Sequence, residues 1–253
     1  MFRRKCWYIL LVSLLLISLS GNLVLVHLAR QQYRAAQSVR LDPTSEKRFA
    51  KLNAELSPPE AGEKRVVFAG ASRIDMWHRL PVVQGCQMVN RGQSNDTSAQ
   101  LLLRLRRDVL DLKPDVVYLE IGNNDLKSIG ALPDQEQKIA DRLRANRAEI
   151  IKQLTDAKIH VIVSTIYPFG DISLKRRLFW SDRSLMVRDT INDEIRKLNQ
   201  PNITFFDADS IFAENGRMKA QHQLDDFHLN NAGYEALNQA VEPLIRSLTQ
   251  IKK

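Results

Sequence analysis

The sequence predicts an α/β fold: a five-stranded parallel sheet with helices on both faces. Three observations lead there. Short apolar runs of strand length recur five times after residue 63. Stretches of helix length, with apolar residues at helical spacing, alternate with them. Several of the runs stop abruptly at glycine or at a polar turn, as buried strands do when they end at a sheet edge. Such alternation gives a parallel sheet, because each crossover has to return the chain to the same edge.

The chain divides into three parts. Residues 1–29 begin with Met1-Phe2-Arg3-Arg4-Lys5 and continue as an uncharged apolar run to Ala29. At about 23 residues this run is long enough to cross a hydrocarbon core of roughly 30 Å as a helix. Trp7 and Tyr8 stand where an interfacial aromatic belt would lie. The segment reads as an uncleaved signal anchor with its N-terminus in the cytoplasm and the remaining chain in the periplasm or outside the cell. The alternative is a cleaved signal peptide and a secreted product, since Ser18-Leu19-Ser20 puts small residues before Gly21. The apolar run resumes at Leu23-Val24-Leu25-Val26, which a simple signal peptide would not need. Residues 30–62 are polar and end in Ser57-Pro58-Pro59-Glu60-Ala61-Gly62, a stalk and linker, helical between about 45 and 56. Residues 63–253 form the folded domain.

Within the domain, Val66-Val67-Phe68-Ala69 is a buried strand ending at Gly70. Gln87-Met88-Val89-Asn90 is a weaker one. From Ser98 to Leu112, leucines at 101, 102, 105, 110 and 112 mark an amphipathic helix with Asp96 or Thr97 as cap, stopped by Pro114. Asp115 to Ile121 is a strand closing at Gly122. A long helix spans 135–157, a strand 159–165, a helix 183–198, a last short strand 203–207 and a last helix 231–248.

The net charge of +8 invites a nucleic-acid partner, but its distribution argues against one. Residues 1–62 hold 9 Lys/Arg against 4 Asp/Glu, whereas the domain holds 28 against 25. Clusters such as Arg104/Arg106/Arg107 and Lys175/Arg176/Arg177 read as a solvated helix face and a charged loop. The two cysteines, Cys6 and Cys86, form no disulfide framework or zinc spacing, and Cys86 reads as a small buried residue.

In an open α/β sheet, functional groups gather at the carboxyl ends of the strands. Four loops converge there: Gly70-Ala71-Ser72, Asn90-Arg91-Gly92, Gly122-Asn123-Asn124-Asp125, and the loop with Asp225-Asp226-Phe227-His228. A serine hydroxyl needs a base, and the base needs an orienting acceptor. Ser72 is the candidate nucleophile and His228 the base. Asp225, three residues before it, is preferred over Asp226 as the acceptor. The N–H groups of Ser72 and Gly92 and the side-chain amide of Asn124 are candidate donors to a developing oxyanion.

These four blocks, in this order and approximate spacing, resemble those of the SGNH (GDSL-type) hydrolases. The resemblance covers about residues 64–250. It implies a three-layer α/β/α, flavodoxin-like fold, with Ser72 as nucleophile, Gly92 and Asn124 in the oxyanion hole, and His228 with Asp225 completing a triad. Ala71 departs from the pattern, standing where the family usually has Asp. The function this implies is ester hydrolysis on an O-acylated glycan or a lipid, with no metal or organic cofactor. An O-acyltransferase acting on cell-envelope polysaccharide and a non-catalytic glycan- or partner-binding domain are the alternatives. The sequence does not fix the oligomeric state.

Other histidines have plainer readings. A metal site among His222, Asp225, Asp226 and His228 follows no familiar spacing. His78 reads as packed near Trp77, and His160 as structural. In the loop 166–182, the aromatics Tyr167, Phe169, Phe179 and Trp180 are either a substrate wall or core packing.

Overall fold

The computed structural model describes residues 2–249, in two compact units, residues 1–46 and 47–253. The first is a single helix, α1 (Phe2–Leu41), of 40 residues. Its apolar side chains from Trp7 to Leu28 are all exposed to about half or more of their surface, so nothing among the described residues buries them. At 1.5 Å per residue it is about 60 Å long. The helix runs past the anchor read from the sequence because residues 30–41 contain neither Gly nor Pro, and Pro43 follows its end. Cys6 lies where side chains are outside the described residues.

The second unit begins at Lys47, earlier than the boundary expected at residue 63. Helix α2 (Glu46–Ala54) is therefore packed on the domain over most of its length. Phe49 is fully buried beneath the Arg104 guanidinium, 4.8 Å from its ring, and Asn53 accepts from Arg91 at 3.0 Å. The spacing Phe49, Leu52, Asn53, Leu56 is one helix face, and that face explains the docking.

The sheet contains β1 (Lys64–Gly70), β2 (Cys86–Gly92), β3 (Val116–Glu120), β4 (His160–Ser164) and β5 (Ile203–Phe206). All pairs are parallel and the order is β2-β1-β3-β4-β5, a doubly wound arrangement. The helices between its strands are α3 (Ser72–Asp75), α4 (Ser98–Asp108), α5 (Asn123–Ala131), α6 (Glu136–Asp156), α7 (Leu174–Arg177) and α8 (Arg183–Arg196); after β5 come α9 (Asp209–Phe212), a two-stranded β6 (Ala213–Glu214)/β7 (Arg217–Met218) ribbon and α10 (Asn231–Thr249). A separate 3₁₀ turn at 110–112 follows α4, so the stretch expected as one helix to Leu112 is broken at Val109.

Alternate strand residues face opposite layers, as a period of two requires. Val67, Val117 and Val161 pack with Leu105, Leu143 and Ile191 from α4, α6 and α8. Val66, Phe68 and Tyr118 pack on the other face with Trp77, Leu237 and Val241. The strands read as continuous apolar runs because both faces are covered. Cys86, at the outer strand, is half-buried and free, rather than a core residue.

Candidate active site

The site lies where the loops after β1, β2 and β3 meet the loop before α10. β1 ends at Gly70, and the chain turns at Ala71 directly into α3, so Ser72 opens the helix. A first-turn N–H has no acceptor within its own helix, so that of Ser72 is available for another partner. Its Oγ lies 2.9 Å from His228 Nε2. His228 Nδ1 lies 2.9 Å from each carboxylate oxygen of Asp225. Ser72 is 6 % exposed, and the His228 side chain is 17 % exposed. A carboxylate accepts only, so Nδ1 carries the proton that faces it. Nε2 is then left to accept from the Ser72 hydroxyl.

Asp225 is fixed by its own loop: Oδ1 also accepts the N–H groups of Phe227 (2.8 Å) and His228 (3.0 Å). Burial pushes its carboxyl upward, but the hydrogen bonds from His228 and from these N–H groups outweigh that and hold it below the ordinary carboxylate range. Asp226 has a different partner set. Its Oδ2 accepts from Ser173 N (3.1 Å) and Oγ (2.9 Å) and lies 3.3 Å from Arg176 Nε, tying the α7 segment to the histidine loop.

Arg73 joins the serine turn to both neighbouring loops. Fully buried, it donates to the carbonyls of Phe227 (2.8 Å), Tyr167 (3.1 Å) and Pro168 (3.2 Å) and pairs with Glu120 at 3.3 Å. Nothing in the motif pattern pointed to it. Its signal is a charged residue immediately after a buried strand and turn, a position that requires partners.

The three expected oxyanion donors separate. The Gly92 N–H is engaged by Asn90 Oδ1 at 2.8 Å, and a Cβ at Gly92 would come within 2.1 Å of the Asp75 nitrogen. Gly92 is thus a glycine because β2 abuts α3 there, and its N–H is not free for substrate. Asn90 completes the brace, donating to the carbonyls of Ile74 (2.6 Å) and Trp77 (3.2 Å). Asn124 lies in the first turn of α5, which starts at Asn123 after Gly122, whose φ of 128° demands glycine, and it donates one amide hydrogen to the Asp96 carbonyl at 2.8 Å. Its second amide hydrogen remains for another acceptor. Beside it Asn95, exposed with φ 69°, has an N–H with no acceptor among the described residues. Sequence reasoning missed it; the Asn-Asp pair in a polar turn was the available signal, since Asn tolerates positive φ.

The remaining acids of these blocks are structural. Asp125 caps α4 through Ser98 N (2.9 Å) and Oγ (2.6 Å). Asp96 is buried against Arg104 (2.6 Å), and that burial raises its carboxyl to about 6 despite the guanidinium. Arg104 is therefore a buried pivot of the 93–97 loop, not part of a solvated face. His222 packs edge-on to Phe212 and His160 bonds Thr204, while His78 is exposed rather than packed. Of the loop aromatics, Tyr167 and Phe169 are core, Trp180 leans on Phe169 and Phe227, and Phe179 is 68 % exposed.

A doubly wound sheet with hydroxyl, imidazole and carboxylate in line at its carboxyl edge directs the comparison to α/β hydrolytic enzymes. The chain belongs to the GDSL-like lipase/acylhydrolase family, whose model matches residues 65–236. Solved structures agree. A GDSL-like lipase from Bacteroides thetaiotaomicron shares 25% identity over 81% of this chain and 98% of its own, with a TM-score of 0.65. A putative acylhydrolase from Bacteroides fragilis shares 23% over 80% and 96%, also at 0.65. The acetyl xylan esterase AlAXEase has the same fold at 18% identity, over 72% and 99%, with a TM-score of 0.54. No curated protein sequence matches this one.

Proposed function

We propose that this chain is a membrane-anchored serine ester hydrolase. Ser72 Oγ attacks the ester carbonyl while His228 Nε2 takes its proton, and Asp225 holds the imidazole and stabilises the imidazolium. The alcohol leaves with a proton from His228, giving an acyl-serine. Water, deprotonated by the same nitrogen, then releases the acid. The Ser72 N–H, the free amide hydrogen of Asn124 and the Asn95 N–H are the donors to the oxyanion, with Asn95 in the place first given to Gly92. No metal or organic cofactor takes part in this mechanism. The ester is carried by an acylated glycan or a lipid.

The observation that carries the reading is the 2.9 Å Ser72–His228 contact backed by two 2.9 Å contacts to Asp225. A domain that only binds has no need of this relay, which favours catalysis over the binding-only alternative. The test is hydrolysis of p-nitrophenyl acetate and longer acyl esters by the full chain and by Ser72→Ala. The expected result is loss of nearly all turnover and of labelling by a fluorophosphonate probe in the variant. Equal turnover by both proteins removes the serine mechanism. Transfer of the acyl group to added polysaccharide, without net hydrolysis, would instead identify a transferase using the same serine.

A further inference from the structure

A cation without an ion-pair partner among the described residues stands against Phe227, the residue before His228. Lys127 lies on α5 one turn beyond Asn124, with its ammonium 4.8 Å from the centre of the Phe227 ring. It makes no hydrogen bond or ion pair among the described residues. The Arg176 guanidinium, from α7, lies 4.7 Å from the same ring. Phe227 immediately precedes His228 and is itself buried, so both cations lie against the residue next to the relay's histidine. Arg176 pairs with Asp226 at 3.3 Å, whereas Lys127 has no ion-pair partner among the described residues and feels the Asp225 carboxylate only at longer range. Burial, followed by the nearby charges of Arg73 and Arg176, brings the Lys127 amine down to about 8, with Asp225 opposing. A partly buried ammonium flanked by guanidinium groups is unfavourable alone, and an arriving anion relieves it.

We propose that Lys127, assisted by Arg176, forms an anion subsite, so that the ester substrate carries a carboxylate or phosphate near the scissile bond. This rests on the ester-hydrolase reading and narrows its substrate class. The ester carbonyl sits at Ser72 and the anionic group at Lys127. A neutral glycan or a triacyl ester would leave the lysine unanswered. Acidic sugars and phosphorylated headgroups both supply the chemistry.

The experiment uses the full chain in detergent with three acetyl esters: methyl 4-acetoxybenzoate, which is neutral, 4-acetoxybenzoate, and 4-acetoxyphenyl phosphate. The readout is the ratio of kcat/KM for each anionic ester to that for the neutral one. The wild-type protein is expected to favour an anionic ester. Lys127→Met should lower that ratio roughly tenfold or more, mainly through KM, as loss of a charge-assisted hydrogen bond does. Lys127→Arg should retain it. Preference for the carboxylate points to acidic sugars, and preference for the phosphate to phosphorylated headgroups. A ratio unchanged in Lys127→Met, or no preference in the wild type, overturns the subsite and shows the lysine merely covers Phe227. Ser72→Ala on the neutral ester reports separately on the hydrolase reading.

Discussion

The carboxylate of Asp225 does two jobs with one set of atoms. It receives the imidazole and it closes its own loop by accepting two backbone N–H groups. An amide at this position can still accept those N–H groups, but it presents a donor to the ring and selects the wrong tautomer. Asp225→Asn should therefore lower kcat by about 10³–10⁴ while the protein melts near the wild-type temperature, measured by ester hydrolysis and thermal unfolding. A variant that keeps most of its turnover would make the aspartate only a loop anchor. The sequence made this residue legible through its spacing: three residues is one turn, which brings both side chains to one side of a tight loop. It also ranked Asp225 above Asp226, and in the structure it is Asp225 that contacts the imidazole, while Asp226 faces Ser173 and Arg176. Gly92 was misread because sequence gives a glycine's freedom but not its neighbours. The reason for glycine there is the nitrogen of Asp75, 17 residues away along the chain.

At the scale of elements, α2 braces the site from outside the stretch matched by the family model. Arg48 reaches Asp75 at 2.6 Å and Gln93 at 2.8 Å, while Asp75 also accepts from Ser94 N (3.1 Å) and Oγ (2.6 Å). One carboxylate thus fastens α3 to the loop carrying Asn95. Burial alone would raise the Asp75 carboxyl, but Arg48 and Ser94 more than offset it and hold the group below its usual range. A carboxyl lowered on folding contributes stability above its unfolded value, about 3.9, and loses it as pH falls through the folded one. Arg48→Ala should cost about 0.5–1 kcal/mol at pH 7, a surface-pair magnitude, and the gap from wild type should close in acid, once the Asp75 carboxyl is protonated. Urea unfolding at the two pH values checks this, and a gap that persists in acid would assign the loss to packing instead. The helix itself was legible between about 45 and 56, but its docking was not, because a short amphipathic face does not name what it packs against.

At the scale of the whole molecule, an enzyme-family domain follows a 40-residue helix whose apolar side chains are exposed. Exposure of so many large apolar residues in water is unfavourable by roughly 25 cal/mol per Å². A bilayer removes that cost. With Arg3, Arg4 and Lys5 ahead of the span, the domain is expected on the far side of the cytoplasmic membrane. Cell fractionation should find the full-length chain in carbonate-washed membranes, with its domain digested by protease added to spheroplasts. A shortened chain in the soluble fraction would show that the segment is a cleaved signal instead. Tethering, if the fractionation finds it, would suit the proposed substrate being held at the envelope, whether acidic glycan or phosphorylated lipid.

The order of strands and helices, and the candidate hydroxyl, imidazole and carboxylate that the structure brings into contact, were all legible as local pattern. Burial on both faces writes strands as apolar runs, and a relay of three side chains demands three residue types at recognisable turns. What tertiary structure alone decided is which polar groups remain free. Gly92 and Asn124 look equally available in the sequence, yet the first is engaged by Asn90, while the second keeps an amide hydrogen. Arg104 and Lys127 are both cations on helices, yet one pairs with Asp96 and the other rests on the Phe227 ring with no hydrogen-bond or ion-pair partner among the described residues. Availability depends on what distant segments bring within 3 Å, and no local pattern records that.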